Sequence, residues 1–556
     1  MRPDQWSGRT PAYYDVGPAE PGEHHDRDPR RPLADLNLYD ANIPLREAAA
    51  RAGADWVEDD ARRLGAVLGS AEAARWAEEA HRYPPVLRTH DRYGNRADEV
   101  DFHPSWHRFM GLAVEYGAHA MPWEAPKAGA HAARAVLMSL LAQVEPGHCC
   151  PVSMTYAAVP ALRAEPALAA EWEPRITSRT YDFGLRPAAE KAGVLVGMAM
   201  TEKQGGSDVR ANTTTAAPAG DGSYVLRGHK WFCSAPMNDA FLVLAQAPGG
   251  LSCFLLPRVL PDGTRNAIRL QRLKDKLGNK SNASAEIELD DALAHLVGEE
   301  GRGVSVIIEM VNHTRLDCVI ATAAGMRQSV AEATWHAAHR SAFGRRLVDQ
   351  PLMTQVLADL SVESEAATAV MMRLASAYDD PGQAAFRRLA TAVAKYWVCK
   401  RGPAHAAEAL ECLGGNGYIE EAPLARRYRE QPLLSIWEGS GNVIALDVLR
   451  ALATAPETAE AFLAEVEPAA AADARLAAHV DGVKRTLAAG LGPTGARRLT
   501  EDLGLALQAS LLVRHSPTEV ADAFCASRLG EGRGLNYGSV PAKDAGAIVA
   551  RHLPTS

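Results

Sequence analysis

The hydrophobic period changes twice along this chain, and that ordering restricts the folds open to it. From Pro44 to about Arg82, Ala, Leu, Trp and Val recur every three or four residues among Glu and Arg, a helical spacing. The same texture resumes over His131–Val144 and Met154–Leu168. Between Gly193 and Val297 it gives way to short alternating or β-rich runs at 224–227, 241–246, 251–257, 267–273 and 286–289. Turn-forming segments such as GDGS, PGG, PDG and LGNKSN separate these runs, a pattern of antiparallel strands and not of βαβ units. After GEEGRG the helical period returns in stretches long enough for a bundle. Leu352, Val356, Leu360, Ala367, Val370, Met371 and Leu374 share one stripe. Phe386, Leu389, Val393, Trp397 and Val398 mark the next helix, predicted to stop before Pro403.

The expected class is therefore α+β, multidomain and mainly α. The expected parts are an extended arm at 1–35, a helical domain at 36–192, a β domain at 193–297, a helical bundle at 298–450 and an added helical segment at 451–556. HDRYGNRADEV at 90–100 reads as a turn-rich connection, and GEGRGLNYGSVP near the end as a looser stretch. The 556 residues accommodate three or four domains, and 47% apolar with 23% charged residues is ordinary globular composition. A net charge of -9 excludes a chain coated with positive charge for nucleic acid, though not a local basic patch. Eight scattered cysteines without a CxxC support neither a disulfide framework nor a zinc site, and no metal is expected. MRPDQWSGRTPAYYDV lacks an apolar signal core and no 18-residue apolar run occurs, so a cytoplasmic protein without a membrane span is expected.

Three segments can carry chemistry. MTEKQGGSDV (200–209) combines two glycines, which let a ligand approach the backbone, with the hydroxyls of Thr201 and Ser207. It suits the edge of a planar heterocycle or a diphosphate, or is simply a structural turn. It is neither a GxGxxG nor a P-loop, since Lys203 precedes the glycines. GHKWFCSA (228–235) offers an aromatic pair and Ser234, either for a flat cofactor or for one buried strand face. IWEGSGN (436–442) places Glu438 beside Trp437 before a Gly-Ser-Gly turn. An apolar setting raises a carboxylate pKa toward that of a general base; the alternative is a helix-entry acid facing the helix dipole.

Together these segments resemble the acyl-CoA dehydrogenase superfamily, and within it the AidB branch of adaptive-response flavoproteins. FHPSWHRFM (102–110), the stretch 251–284 and CLGGNGY (412–418) extend the likeness over roughly 35–450. Lys203 and Gln204 depart from the superfamily's flavin loop and agree with the branch. The resemblance implies an FAD-dependent oxidoreductase in which Glu438 removes the α proton of an acyl thioester while the β hydride passes to flavin N5. It implies FAD contacts from Met200, Thr201, Gln204, Gly205, Gly206, Ser207 and Val209, and from Phe232, Cys233 and Ser234. Trp437, Gly439, Ser440, Gly441 and Asn442 approach the same cofactor. Arg340, Phe343 and Gln350, with Gly414 and Gly415, would reach the FAD of a neighbouring subunit, which implies a homo-oligomer, commonly a dimer of dimers. Arg315 and Ser207 fall at substrate-side positions. The alternative that the branch carries is a DNA-associated protein of the alkylation response with weak or vestigial dehydrogenase activity. Residues 451–556 hold ten Lys and Arg against twelve Asp and Glu, a net -2 that weakens the DNA reading. Oxidation by O2 on a specialised metabolite is a third possibility; the acyl chain and the electron acceptor stay open.

Overall fold

A computed structural model describes residues 33–532 and 534–554, so the arm expected at 1–35 lies almost wholly outside the described residues. The first helices are α1 (Ile43–Arg51), α2 (Glu58–Leu68) and α3 (Ala71–Arg82). Each has a local reason to begin. The Asn42 side chain accepts from the Leu45 amide, Glu58, Asp59 and Asp60 face the positive end of α2, and Ser70 accepts from the Ala73 amide. The expected connection at 90–100 is instead a β-hairpin, β1 (Val86–His90) against β2 (Arg96–Asp101). The Asp91 carboxylate accepts from the amides of Tyr93 and Asn95, which folds the turn. The strands persist because the hairpin docks on the β domain: Val100 is buried, and the Leu270 amide donates to the Asp98 carboxylate. Of the polar residues that suggested a loop, Asp91 to Arg96 are exposed about the turn, whereas Asp98 is buried.

Helices α4 (Pro104–Glu115), α5 (Met121–Glu124), α6 (Ala130–Val144), α7 (Cys149–Leu162) and α8 (Pro166–Ile176) follow. Every residue of α6 is buried, which makes it a core strut. The β domain comprises β3 (Val196–Ala199), β4 (Thr215–Pro218), β5 (Ser223–Ser234), β6 (Ala240–Ala247), β7 (Gly250–Pro257), β8 (Ile268–Leu273) and β9 (Ser284–Val297). The five expected runs fall within β5 to β9. Strand order is β3-β6-β4-β5-β9-β7, with β8 on β9. Pairing is antiparallel except where β3 and the first residue of β4, Thr215, lie parallel to β6. These two four-residue strands are too short to show an alternation in sequence.

The bundle is built from α9 (Gly303–His339), α10 (Pro351–Tyr378) and α11 (Ala384–Glu411). A small hairpin, β10 (Ser341–Ala342) with β11 (Arg345–Arg346), joins the first two. Contrary to expectation α11 runs through Pro403. An interior proline costs ~3 kcal/mol, and burial of His405, Ala406 and Ala409 beyond it offsets that cost. Helices α12 (Gly415–Tyr418), α13 (Pro423–Leu434) and α14 (Gly441–Thr454) complete this part. The last segment adds α15 (Glu457–Ala470), α16 (Ala474–Ala489), α17 (Ala496–His515), α18 (Thr518–Phe524) and α19 (Ala545–His552).

One apolar core runs through the amino-terminal helices, the bundle and α15 to α19. The carboxy-terminal segment is further pinned by buried ion pairs. Arg528 reaches Asp359 and Glu363, and Arg551 reaches Glu365. Tyr537, in the looser stretch, is buried. All eight cysteines are buried and unpaired. Among the described residues no helix is long and apolar enough to cross a membrane.

Candidate active site

A cavity of about 570 Å³ opens between the β domain, α7, α9, α13 and the loop before α14. Twelve of the residues singled out in the sequence line it: Met200, Thr201, Gly206, Ser207, Val209, Phe232, Ser234, Arg315, Trp437, Glu438, Gly439 and Ser440. Their convergence from four separate stretches makes this cavity the candidate site.

The Met200–Val209 loop is shaped from beneath. Glu202 is wholly buried and accepts from Lys230 Nζ at 2.7 Å and from the Thr214 hydroxyl at 2.6 Å. It also accepts from the Thr213 amide and hydroxyl. Burial opposes ionisation, but these donors hold the carboxyl far below the usual range. Gln204 turns inward to donate to Glu202, so its amide serves the loop instead of the cavity. A Cβ on Gly206 would lie 2.5 Å from Thr201 Oγ1, so a side chain there would displace the hydroxyl. Gly205, at φ +151°, does not line the cavity.

On β5 the two-residue period separates the candidates. Phe232 and Ser234 face the cavity, and the Phe232 ring is 46% exposed, uncovered enough to stack against a flat group. Cys233 points the other way into the sheet core, so its side chain cannot meet a ligand in the cavity.

The Trp437–Asn442 loop carries Glu438 with φ +58° and Gly439 with φ +107°. A non-glycine residue in the left-handed region needs outside support. Arg315 Nε donates to the Glu438 carbonyl at 3.1 Å, and its Nη1 pairs with Asp447 at 2.9 Å. Arg388 holds the other Asp447 oxygen at 2.8 Å. Buried Lys395 donates to the next carbonyl, Gly439, at 2.5 Å. Two cations thus fix the two consecutive peptides that follow the acid. The Glu438 carboxyl is raised above its usual pKa by burial; the Thr314 hydroxyl and the charges of Arg315 and Lys395 limit the rise. One of its oxygens is buried without a partner. A buried carboxyl with a raised pKa has the chemistry that a general base requires. Arg315 lines the cavity, but it bonds the loop and Asp447, which makes it a positioning group here.

The remaining candidates lie elsewhere in the single chain. Gly441 and Asn442 begin α14, and Asn442 Oδ1 accepts weakly from Arg497 at 3.4 Å. Arg340, Phe343 and Gln350 sit on the α9–α10 connection, where the Gln350 amide donates to Ala342 and Phe343 is almost fully exposed. Gly414 and Gly415 lie at the α11–α12 junction, outside the cavity. Sequence reasoning missed Lys395, Asp447 and Arg388, whose acid or base acts through another residue. It also missed the cavity groups Cys150, Lys276 and Glu430, pushed by burial to about 11, about 8 and about 6 respectively. Cys150 alone carried a signal, the adjacent cysteine pair. Among the described residues no cluster of His, Cys, Asp and Glu could hold a metal ion.

Comparison with known families decides the assignment. The profile of the adaptive response protein AidB N-terminal domain matches residues 29–183. The acyl-CoA dehydrogenase middle domain matches 197–292, and the acyl-CoA dehydrogenase C-terminal domain matches 301–453. The chain belongs to the acyl-CoA dehydrogenase family. Within that family it is 50% identical over 426 residues to "Putative acyl-CoA dehydrogenase AidB" of Escherichia coli (strain K12), covering 76% of this chain and 79% of that protein. It is 32% identical to acyl-CoA dehydrogenase family member 11 of Caenorhabditis elegans, over 72% of this chain and 67% of that one. Among solved structures, Caenorhabditis elegans ACDH-11 in complex with C11-CoA superimposes with a TM-score of 0.81 at 27% identity, over 89% and 91% of the two chains. The helical, β, helical order of the family is the order observed here.

Proposed function

We propose that this chain is an FAD-dependent oxidoreductase of the acyl-CoA dehydrogenase type, with Glu438 as the base that removes the α proton of an acyl thioester. The observation that carries this reading is the Glu438 carboxylate, half-buried in the cavity with one oxygen unpartnered and its loop clamped by Arg315 and Lys395.

The cavity fits a flavin. The glycine approach at Gly206, the hydroxyls of Thr201, Ser207 and Ser234, and the uncovered Phe232 ring provide a flat slot with hydrogen-bonding edges. Met200, Val209, Trp437, Gly439 and Ser440 would complete its apolar and backbone lining, and Cys233 would contribute backbone only. Bound FAD supplies the acceptor for the β hydride, which no side chain provides. The chain's own part is to desolvate Glu438, which raises its pKa above the usual carboxylate value, and to keep its carboxylate at the acyl group. After the transfer Glu438 holds the α proton until product leaves.

Arg340, Phe343, Gln350, Gly414 and Gly415 would serve the cofactor of a neighbouring subunit. Their position outside the cavity of one chain supports a homo-oligomer, a dimer of dimers in our reading. We divide the chain into 36–192, 193–297 and 298–450, which surround the cavity, and the added segment 451–556. Cytoplasmic location goes with this chemistry.

The second reading, a DNA-associated protein of the alkylation response, is the less supported. Basic groups of the carboxy-terminal segment are tied to acids: Arg475 to Asp473 and Asp522, Lys484 to Glu467, Arg498 to Asp502, Arg514 to Glu465. Arg528 and Arg551 are likewise paired within the fold. Paired cations release few counterions on meeting a duplex. Anaerobic titration of the FAD-bound protein with acyl-CoAs of graded length tests the main reading: bleaching of the flavin supports it, and an unchanged spectrum with every thioester overturns it.

A further inference from the structure

The LGNKSN stretch, a turn by its sequence, joins β8 to β9 and forms part of the cavity wall, with Lys276 just before it and Ser284 just after. It is pinned from outside the β domain. The Asn279 amide donates to the Glu430 carboxylate of α13 at 2.7 Å, and the Ser281 hydroxyl to Glu145, at the end of α6, at 2.6 Å. A Cβ on Gly278 would lie 2.3 Å from the Arg429 carbonyl oxygen, so loop and helix meet at backbone distance. Lys276 is thereby held at the cavity, which it lines.

Its Nζ donates to the Asn282 carbonyl at 2.5 Å and to the Ser284 hydroxyl at 3.0 Å. Neither partner carries a charge. The titratable groups that face it are Cys150 of α7 and Glu430 of α13, and Glu430 is engaged with the Asn279 amide and lies near Glu145 and Arg426. An ammonium taken out of water and held by neutral groups is unfavourable unless negative charge comes to it. Burial lowers Lys276 to about 8, with Cys150 and Glu430 limiting the fall.

The direction of the hydrogen bonds follows. An ammonium only donates, so the Ser284 oxygen accepts from Lys276 and its own proton is free for Ser234, whose oxygen lies 3.4 Å away across the β5–β9 pair. The Cys150 thiol bonds Ser234 as well; pushed up to about 11, it stays protonated at neutral pH and is a weak donor. With a donor on either side, Ser234 keeps its own proton for an acceptor in the cavity that it lines. The hydride of the proposed reaction brings one negative charge to the flavin, on which such a donor acts favourably.

We propose that Lys276 is a positioning residue that, through Ser284, fixes Ser234 as a hydrogen-bond donor into the cavity and so favours the reduced, negatively charged flavin. This rests on the proposed FAD chemistry and adds to it the group that tunes the acceptor. No bond is made or broken at Lys276: the α proton still goes to Glu438 and the β hydride to FAD.

The test is the two-electron reduction potential of the FAD-bound protein, read by dye equilibration without any thioester, in the native chain, Lys276→Met and Lys276→Arg. Lys276→Met is expected to lower the equilibrium constant for reduction roughly tenfold, about 30 mV. Lys276→Arg keeps the charge and should hold the potential near the native value. In the native protein the potential should fall more steeply above about pH 8, where the ammonium is lost from the oxidised form and regained on reduction. Both variants should lack that steepening. Ser284→Ala leaves the ammonium but breaks its link to Ser234, so it should shift the potential in the same direction; it also serves if the methionine protein does not fold. A native potential in Lys276→Met, equal shifts in the methionine and arginine proteins, or a native potential in Ser284→Ala would overturn the proposal. A native chain that takes up no FAD would instead overturn the dehydrogenase reading itself.

Discussion

Lys395→Met removes the cation that holds the Gly439 carbonyl, next to the proposed base Glu438, while keeping a side chain of similar length. Lys395 is 1% exposed and its Nζ donates to the Gly439 carbonyl at 2.5 Å. A hydrogen bond from a charged donor contributes about 1.5–3 kcal/mol, so losing it should depopulate the clamped loop by roughly ten- to a hundredfold. Arg315 still holds the Glu438 carbonyl, which argues for the lower half of that range. The substitution also deletes one of the positive charges that lower the Glu438 pKa, with burial left to raise it. Since the base must be ionised to accept the proton, the acid limb of the rate profile should move to higher pH. Stopped-flow measurement of flavin reduction by a fixed acyl-CoA, repeated from pH 5 upward, reads both effects. Lys395→Arg restores the charge and should recover most of the shift. A Lys395→Met protein with the native rate and the native acid limb would refute the clamp.

Other outcomes follow from the same geometry. Glu438→Gln should keep yellow, FAD-bound protein and lose flavin reduction by about 10²–10⁴-fold in single-turnover experiments. Gly206→Ala, whose Cβ would crowd Thr201 Oγ1, should weaken FAD binding by roughly tenfold in a fluorescence titration without lowering the unfolding temperature much. Glu202→Ala leaves Lys230 buried without its counter-charge and should destabilise the β domain by about 3–5 kcal/mol in chemical denaturation. Glu145, Glu363 and Glu365 are each held at about 2 against the burial that opposes their ionisation, by His148 and Ser281, by Arg401 and Arg528, and by His552 and Arg551 respectively. A depressed folded-state pKa gives stability that is present above the unfolded value of ~4.3 and lost as pH falls toward 2, so denaturation midpoints should drop steeply below about pH 4.5.

The architecture was legible wherever the hydrophobic period was long. Helices α9, α10 and α11 bury a stripe over many turns, so Leu360, Val370 and Leu374 announced the second of them. Leu352 shares that stripe in sequence, yet it is 83% exposed, because it sits in the first turn of α10. Local signals misled where tertiary packing overrode them. Pro403 did not end α11, and the polar run 90–100 formed a hairpin because Asp98 and Val100 dock it on the β domain. Glu438 was legible through the aromatic residue before it and the Gly-Ser-Gly turn after it. Lys395 and Asp447 were not, since each meets the base loop only when α11 and α14 are packed. Cys233 was read together with Phe232 and Ser234, and the pleat of β5 separates it from them.

The central claim is that Glu438 starts an acyl-thioester dehydrogenation in this cavity. The most direct measurement is the absorbance of the FAD-bound protein during anaerobic mixing with acyl-CoA, native and Glu438→Gln side by side. The account predicts that the native flavin bleaches and the variant, equally loaded with FAD, stays oxidised. Equal bleaching of both proteins would contradict it.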